Sequence, residues 1–223
     1  MSDTDSFIDE VTEEVRRDRM FLMLRRYGWI GALAVVAIVG GAAYNEYSKS
    51  QATAQSQKLG DDIIAALAEN DAEGRASTLS KVQAGTPGGA AVVEMLVATA
   101  KSNSEQVEAA IAGLNKVASD GDLPVIYRQI ASFKALTLQG DSLSVNDRRQ
   151  QFEALAQPGA PLRLLAEEQL ALIDISEGDI AAGEERLQNI LQDSEVTADL
   201  QQRASQLIVA LGGKPEALPG QQG

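Results

Sequence analysis

The sequence holds no cysteine and no histidine. The first absence excludes disulfide stapling, thiol catalysis and cysteine-based zinc sites; the second removes imidazole as base, acid or metal ligand. Carboxylates, Lys, Tyr and Ser are left for chemistry, and no nucleophile beside an oriented base is recognisable. No catalytic, cofactor-binding or metal-binding residue is therefore assigned, and no enzyme is expected. Positive charge is scarce as well. Against 32 Asp and Glu stand only 19 Lys and Arg, a formal net charge of −13, with no basic patch interleaved with aromatics, which excludes a phosphate-neutralising nucleic-acid binder. Strand-type alternation of β-branched residues is missing too, so the expected fold class is all-α. What remains is a chain of 223 residues, 44% hydrophobic, enough for one domain with appendages.

Aromatics are few and unevenly placed: Phe7, Phe21, Tyr27, Trp29, Tyr44 and Tyr47 precede position 48, and only Tyr127, Phe133 and Phe152 follow. From Tyr27 to Tyr44 run 18 residues without a charge. As a helix they span about 27 Å, close to a hydrocarbon core of ~30 Å. Ile30, Leu33, Val35, Val36, Ile38 and Val39 favour insertion by roughly 2–4 kcal/mol in sum. Tyr27 and Trp29 at one end, Tyr44 and Tyr47 at the other, stand where interfacial aromatic belts belong. Arg16, Arg17, Arg19, Arg25 and Arg26 precede the span, against Lys49 and Lys58 after it. Basic residues stay on the cytoplasmic side, so the N-terminus is expected inside and residues 45–223 outside. In a Gram-negative cell this is a single-pass inner-membrane protein with a periplasmic domain. A cleaved signal peptide ending near Gly41-Ala42-Ala43 is a rival, opposed by a preceding region that is long and holds seven acidic residues. A buried helix of a soluble core is another, opposed by the flanking arginines and aromatics.

The expected organisation is a cytoplasmic amphipathic arm over 1–26, the transmembrane helix over 27–44, a periplasmic domain over 45–211 and a disordered tail over 212–223. The arm carries Phe7, Val11, Val15 and Leu22 as one narrow apolar stripe, which either rests on lipid or docks on a membrane complex. The tail, GGKPEALPGQQG, holds two prolines and four glycines and no apolar period.

Between them, helical stretches alternate with breaks at Asn70-Asp71, Ala84 to Gly89, Ser102 to Ser104, Asp120 to Pro124, Gly140 to Ser144, Gln157 to Pro161 and Gly178-Asp179. Leu79, Leu114, Phe152 and Leu187 fall 35, 38 and 35 residues apart, and Val82, Val117, Leu155 and Ile190 keep the same intervals. A two-helix unit near 34 residues is the tetratricopeptide period, and a helical-hairpin solenoid of that type is expected. The interval of 38 places a longer turn around Asp141 to Asp147. The small residue four before each anchor is Ala110 or Gly183 in two units, but Arg75 or Arg148 in the others. Four amphipathic hairpins of similar length would space themselves alike by chance, and that reading stays open.

Stacked hairpins line a curved face with the first helix of each unit, a surface suited to extended peptides or partner helices. Counting back from the anchors puts Val92, Met95 and Thr99, then Leu165, Glu168 and Leu172, on or near it, with ordinary core as the other reading for Met95 and Leu172. Asp61-Asp62, Glu167-Glu168 and Glu184-Glu185 read as solvated surface, since neighbours on a helix point about 100° apart.

Two blocks, SFIDEVTEEVRRDRMFLMLRRYGW ending at Trp29 and the stretch from Pro158 to Gly213, resemble the alphaproteobacterial form of the YfgM-type family. In the second block the matching positions are Pro158-Gly159, Pro161, Arg163, Ala166, Glu168, Leu170-Ala171-Leu172, Gly178-Asp179, Ile190-Leu191, Asp193, Thr197, Leu200, Arg203 and Ala204. The resemblance implies a bitopic inner-membrane protein ancillary to the SecYEG translocon. Its outer domain would meet emerging secretory chains or periplasmic chaperones such as PpiD, with no cofactor. The alternative is an accessory structural subunit of another inner-membrane complex, held through its span. Gly28, Ala32, Ala37 and Gly41 permit close helix contact in the membrane, and self-association is left open.

Because the chain has no native cysteine, single engineered cysteines report topology without background. A cysteine at Ser2 should be labelled by a membrane-impermeant thiol reagent only after the membrane is breached, and one at Ser104 before. Replacing all five arginines with glutamine should scramble this pattern.

Overall fold

The computed structural model describes the backbone of residues 3–216, and side chains from Arg25 onward except Ala32 and Asp141. The expected roles of Arg16, Arg17, Arg19 and the apolar stripe of the arm fall on side chains outside the described residues. Every described element is helical. The chain divides into two units, residues 1–58 and 59–223.

The first unit is made of helix α1, which runs Asp3–Leu67 and passes into the second unit at Leu59. Its part from Arg25 to Leu67 is long and apolar enough to cross a membrane, with mean hydropathy 1.6 over the most apolar window and none of that window buried. Tyr27, Trp29, Tyr44 and Tyr47 are all more than half exposed. The helix does not stop at Tyr44. Residues 45–58 continue it, exposed at every position, so the compact unit begins at Leu59 rather than at 45. Asn45 to Lys58 carry no apolar period to bury, and a helix polar all round gains nothing by packing.

In the second unit the last turns of α1 are followed by α2 (Ala72–Leu79), α3 (Pro87–Ser102), α4 (Val107–Ser119), α5 (Val125–Gln139), α6 (Val145–Leu155), α7 (Arg163–Ser176), α8 (Ile180–Gln192) and α9 (Ala198–Ala210). Helices adjacent in sequence pack on one another, and α3 also meets α5. Four apolar clusters result, each built in the same way. An even-numbered helix supplies anchors that lie between the helix before and the helix after, a pair in α4, α6 and α8 and Leu79 alone in α2, with Val82 just beyond its end. Leu79 sits among Ala66 of α1 and Val93, Val97 and Ala100 of α3. Leu114 and Val117 sit among Ala91 and Ala98 of α3 and Ala131 and Ala135 of α5. Phe152 and Leu155 meet Leu136 of α5 and Ala166, Leu170 and Ile173 of α7, with the Phe152 ring edge-on to Phe133 at 5.7 Å. Leu187 and Ile190 meet Ala171 of α7 and Leu200, Ala204 and Ile208 of α9. Of the eight anchors read from the spacing, seven are buried, and Val82 is half-buried against its cluster.

The turns keep the same phase. The residues that cap the N-termini of α2, α4, α6 and α8 are Asp71, Gln106, Ser144 and Asp179, again 35, 38 and 35 apart. The three extra residues of the longer interval lie between α4 and α5, since Leu114 and Ala131 are 17 apart where Leu79 and Val93, and Phe152 and Ala166, are 14 apart. The 3-10 turn Gly140–Ser142 after α5 adds none, although the longer turn is expected there from the sequence. Asp71, Ser144 and Asp179 each accept the backbone N–H three residues on, satisfying a donor that the helix itself leaves free. Helix α7 ends with Gly178 at φ +90° and a bond from the Asp179 amide to the Asp174 carbonyl, the left-handed termination that glycine allows at little cost. Helix α3 ends with the corresponding bond, from Gln106 to Lys101, but its left-handed residue is Glu105 at φ +63°. A break between α8 and α9, from Asp193 to Val196, was not anticipated; Thr197 caps α9 there by accepting from the Leu200 amide.

Small residues set the closest helix approach. A Cβ on Gly183 would stand 2.5 Å from Ile175 and 3.0 Å from the Ala171 carbonyl oxygen, so α8 meets α7 at a distance only glycine permits. In the first unit of the repeat the corresponding place holds Arg75, whose guanidinium donates instead to the carbonyls of Glu69 and Asn70 beyond the end of α1.

The turn before α4 departs from the pattern twice, with Glu105 left-handed and Gln106 making no capping bond. Glu105→Gly should stabilise the chain by about 1 kcal/mol by relieving the left-handed backbone, and Gln106→Asp by about 1 kcal/mol through a new N-cap. Urea unfolding followed by circular dichroism on the detergent-solubilised chain checks both, and the same changes at exposed Gln150 and Gln151 should do neither.

Candidate functional site

Helix α7 is the acidic element around which the last third of the chain assembles. Arg203 of α9 grips Glu168 with two bonds, Nε to Oε1 at 2.8 Å and Nη2 to Oε2 at 2.9 Å. Glu168 is 6% exposed. Asp174, 5% exposed, accepts Nη1 of Arg149 from α6 at 2.6 Å and Nε of Arg186 from α8 at 2.7 Å. Arg149 also reaches Glu177, and Arg186 also reaches Glu167. A continuous chain Glu177, Arg149, Asp174, Arg186, Glu167 thus ties three helices together. At the other end of α7, Arg163 donates to Asp193 and Glu195 in the loop before α9, both at 2.8 Å.

Burial pushes the Asp174 carboxyl up, but the hydrogen bonds from Arg149 and Arg186 outweigh it and hold the group below its ordinary 3.8. Asp193 is held down chiefly by the backbone amide of Glu195; burial opposes this, and the bond and charge of Arg163 add to the lowering. These carboxylates are fully engaged by donors, so none is placed to act as a general base.

The six residues read onto a binding face are not alike. Thr99 is exposed and Leu172 is 37% exposed, while Val92, Met95 and Leu165 are half-buried. Met95 packs against the cluster around Leu114, and Leu165 against the cluster around Leu187. Glu168 is neither surface nor contact residue. It lies under Arg203, so the expectation that Glu167-Glu168 is a solvated pair holds for neither member: Glu167 is engaged by Arg186.

The binding face expected from the sequence leaves out α5. The buried faces carry α3 onto α5 at an interval of 38 and α5 onto α7 at 35, as Val93, Ala131 and Ala166 or Val97, Ala135 and Leu170 show, so Val92, Met95 and Thr99 continue through Ile130, Phe133 and Thr137 to Leu165, Glu168 and Leu172. Ile130 and Phe133 are half-buried and Thr137 is exposed. The Tyr127 hydroxyl lies 3.4 Å from where a Cβ on Gly88 would be, which is how α5 meets the start of α3. The anchor interval of 35 applied from α3 reaches Lys134 instead of Thr137, three residues short, because the extra residues of the longer interval precede α5.

Two clefts open beside this row. One, of about 210 Å³, lies between α5, α6 and α7 and is lined by Thr137, Arg148, Phe152, Gln169 and Leu172. The other, of about 330 Å³, lies between the starts of α7 and α9 and is lined by Pro161, Arg163, Leu164, Leu165, Thr197 and Leu200. Each is wide enough to take an apolar side chain. Comparison of the chain with protein-family models, with curated proteins and with solved structures finds no match.

Asp174→Asn leaves two guanidinium groups facing an amide and should cost about 3 kcal/mol at neutral pH. The native carboxyl titrates below its unfolded value, so its contribution is complete above about pH 4 and is lost as pH falls through the lower folded value. The gap between the native chain and the Asp174→Asn variant, measured by urea unfolding, should therefore be constant from about pH 7 to about pH 5 and shrink toward about pH 3.

Proposed function

We propose that the chain is a membrane-tethered protein-interaction module, a helical-hairpin solenoid of tetratricopeptide type held at the inner membrane by the apolar part of α1. The observation that carries this reading is the fourfold recurrence of one packing unit, an anchored even-numbered helix between two odd-numbered ones, in phase with its own caps. Such a unit exposes one side of each odd-numbered helix in register, and registered helix faces bind extended chains or partner helices. The row Thr99, Thr137 and Leu172, with the clefts beside it, is the contact surface: an apolar end and two hydroxyls that donate within their own helices and keep lone pairs for a partner's N–H.

The resemblance to YfgM-type proteins supplies the place of work, beside the SecYEG translocon, with the outer domain on the periplasmic side meeting emerging chains or a PpiD-like chaperone. The five arginines before the span support that orientation. The fully exposed span supports a second reading, an accessory subunit of another complex held through α1.

Purification of the tagged chain from gently solubilised membranes, with mass spectrometry of what accompanies it, separates the two. Translocon subunits should be recovered with the full chain, and Leu172→Glu together with Thr137→Glu should reduce recovery of the periplasmic partner at least tenfold while leaving the translocon. Recovery of a different complex, unaffected by these changes but abolished when 27–44 is exchanged for an unrelated span, establishes the second reading.

A further inference from the structure

Of the tail expected to be disordered, residues 217–223 lie outside the described residues, whereas 213–216 lie against the compact unit. Helix α9 ends at Gly212, φ +88°, with paired bonds from Gly212 to Val209 and from Gly213 to Ile208. That turn sends residues 213–216 back along α8. Gly213 fits so closely that a Cβ would meet the Glu184 carboxylate and stand 3.0 Å from Ile208. Beyond it the Gln188 side chain takes hold of the main chain twice. Its Nε2 donates to the Lys214 carbonyl at 2.9 Å, and its Oε1 accepts from the Glu216 amide at 3.0 Å. One turn further along α8, Gln192 donates to the Glu216 carboxylate.

A side-chain amide bonded to the carbonyl of one residue and the amide of the residue two further on reproduces the pattern by which one parallel strand pairs with another. In that register the middle residue, Pro215, has its nitrogen turned away from the partner, so proline loses no hydrogen bond there and its fixed φ holds the segment extended. The contact with Gln188 is made wholly to main chain. Any extended polypeptide presents the same atoms.

We propose that the strip Glu184, Gln188 and Gln192 on α8 is a docking site for the backbone of an extended, unfolded polypeptide, occupied in the resting protein by the chain's own residues 214–216. The occupant is argued from the segment seated there: its two main-chain bonds carry no side-chain specificity, and only the residue at Gly213 is restricted in size. The tail competes by virtue of its tether, which gives it a high effective concentration despite few contacts. This site stands on α8 and is independent of the row on α3, α5 and α7.

The test uses the full chain in detergent micelles in four forms: native, truncated after Gly213, Glu216→Pro, and the truncated chain with Gln188→Leu. Truncation after Gly213 keeps the turn that ends α9, and Glu216→Pro removes, without shortening the chain, both the N–H that Gln188 accepts and the carboxylate that Gln192 holds. Thermal melting by circular dichroism establishes that all four are folded. The probe is a fluorescently labelled, reduced and carboxymethylated lactalbumin, permanently unfolded, followed by anisotropy. Truncation and Glu216→Pro should each tighten its binding at least fivefold over the native chain, and Gln188→Leu should return the truncated chain to the native level. Equal binding by native, truncated and Glu216→Pro chains, or a gain on truncation that Gln188→Leu leaves intact, would overturn the proposal and reduce the segment to a packing cap on α8 and α9.

Discussion

Burial of Leu79, Leu114, Phe152 and Leu187 is the constraint on which the compact unit depends. Leu79, Leu114 and Leu187 are wholly inaccessible and Phe152 is 3% exposed, and none achieves this within a single helix pair. Each requires the helix before and the helix after, so no pair can leave without uncovering an anchor on both sides. That is why the core is four clusters in series rather than one, and why contacts run between sequence neighbours. The ends of the series are then the places where an anchor lacks a natural cover. At the start, the last turns of α1 supply it through Leu59, Ile63 and Ala66; at the finish, α9 supplies it, followed by the segment after Gly212.

How the helices are held side by side differs along the series. Between α3, α4 and α5 the buried surface is rich in alanine: Ala91, Ala98, Ala110, Ala131 and Ala135. Such small side chains let backbones approach but remove little apolar area from water, and area sets the hydrophobic contribution. Between α6 and α9 the ion pairs of Arg149, Arg163, Arg186 and Arg203 are added to larger apolar anchors. Glu168 and Asp174, the carboxylates that α7 supplies to Arg203, Arg149 and Arg186, are buried, so the gain is one of register more than of energy, because desolvation offsets much of the Coulomb attraction. Arg203 fixes α9 on α7 at a single position through its two parallel bonds.

The interval between anchors was legible because a buried position in every unit must be large and apolar, whatever surrounds it. That one interval is three residues too long was legible for the same reason, but not where the three lie: the anchors alone do not separate the stretch before α5, where they fall, from the one after it. Composition was a poorer guide. Gly212 and Gly213 were read as signs of disorder, whereas one terminates a helix and the other permits close approach to Glu184 and Ile208. Glycine and proline report backbone conformation, and a fixed unusual conformation has the same composition as an unfixed one. Glu168 was misplaced because its partner lies 35 residues away, beyond any local pattern. The polar stretch 45–58 was assigned to the domain because helical propensity and packing were treated as one property; the helix persists there without a face to bury.

The contrast between the two halves bears on where the module yields. Local opening is easiest where few apolar contacts and few cross-links hold an element. The junction of α3 and α4 has a left-handed Glu105, no side-chain cap on α4 and an alanine-rich interface behind it, while α6 to α9 are bridged by charged hydrogen bonds from Arg149, Arg163, Arg186 and Arg203. On the proposed reading the row crosses both interfaces, with Thr99 on the yielding side, Thr137 in the middle and Leu172 on the rigid side. A partner bound along it would then be adjusted at the Thr99 end, where α3 can part from α4, and keyed at the Leu172 end, where the cleft against Phe152 is already formed.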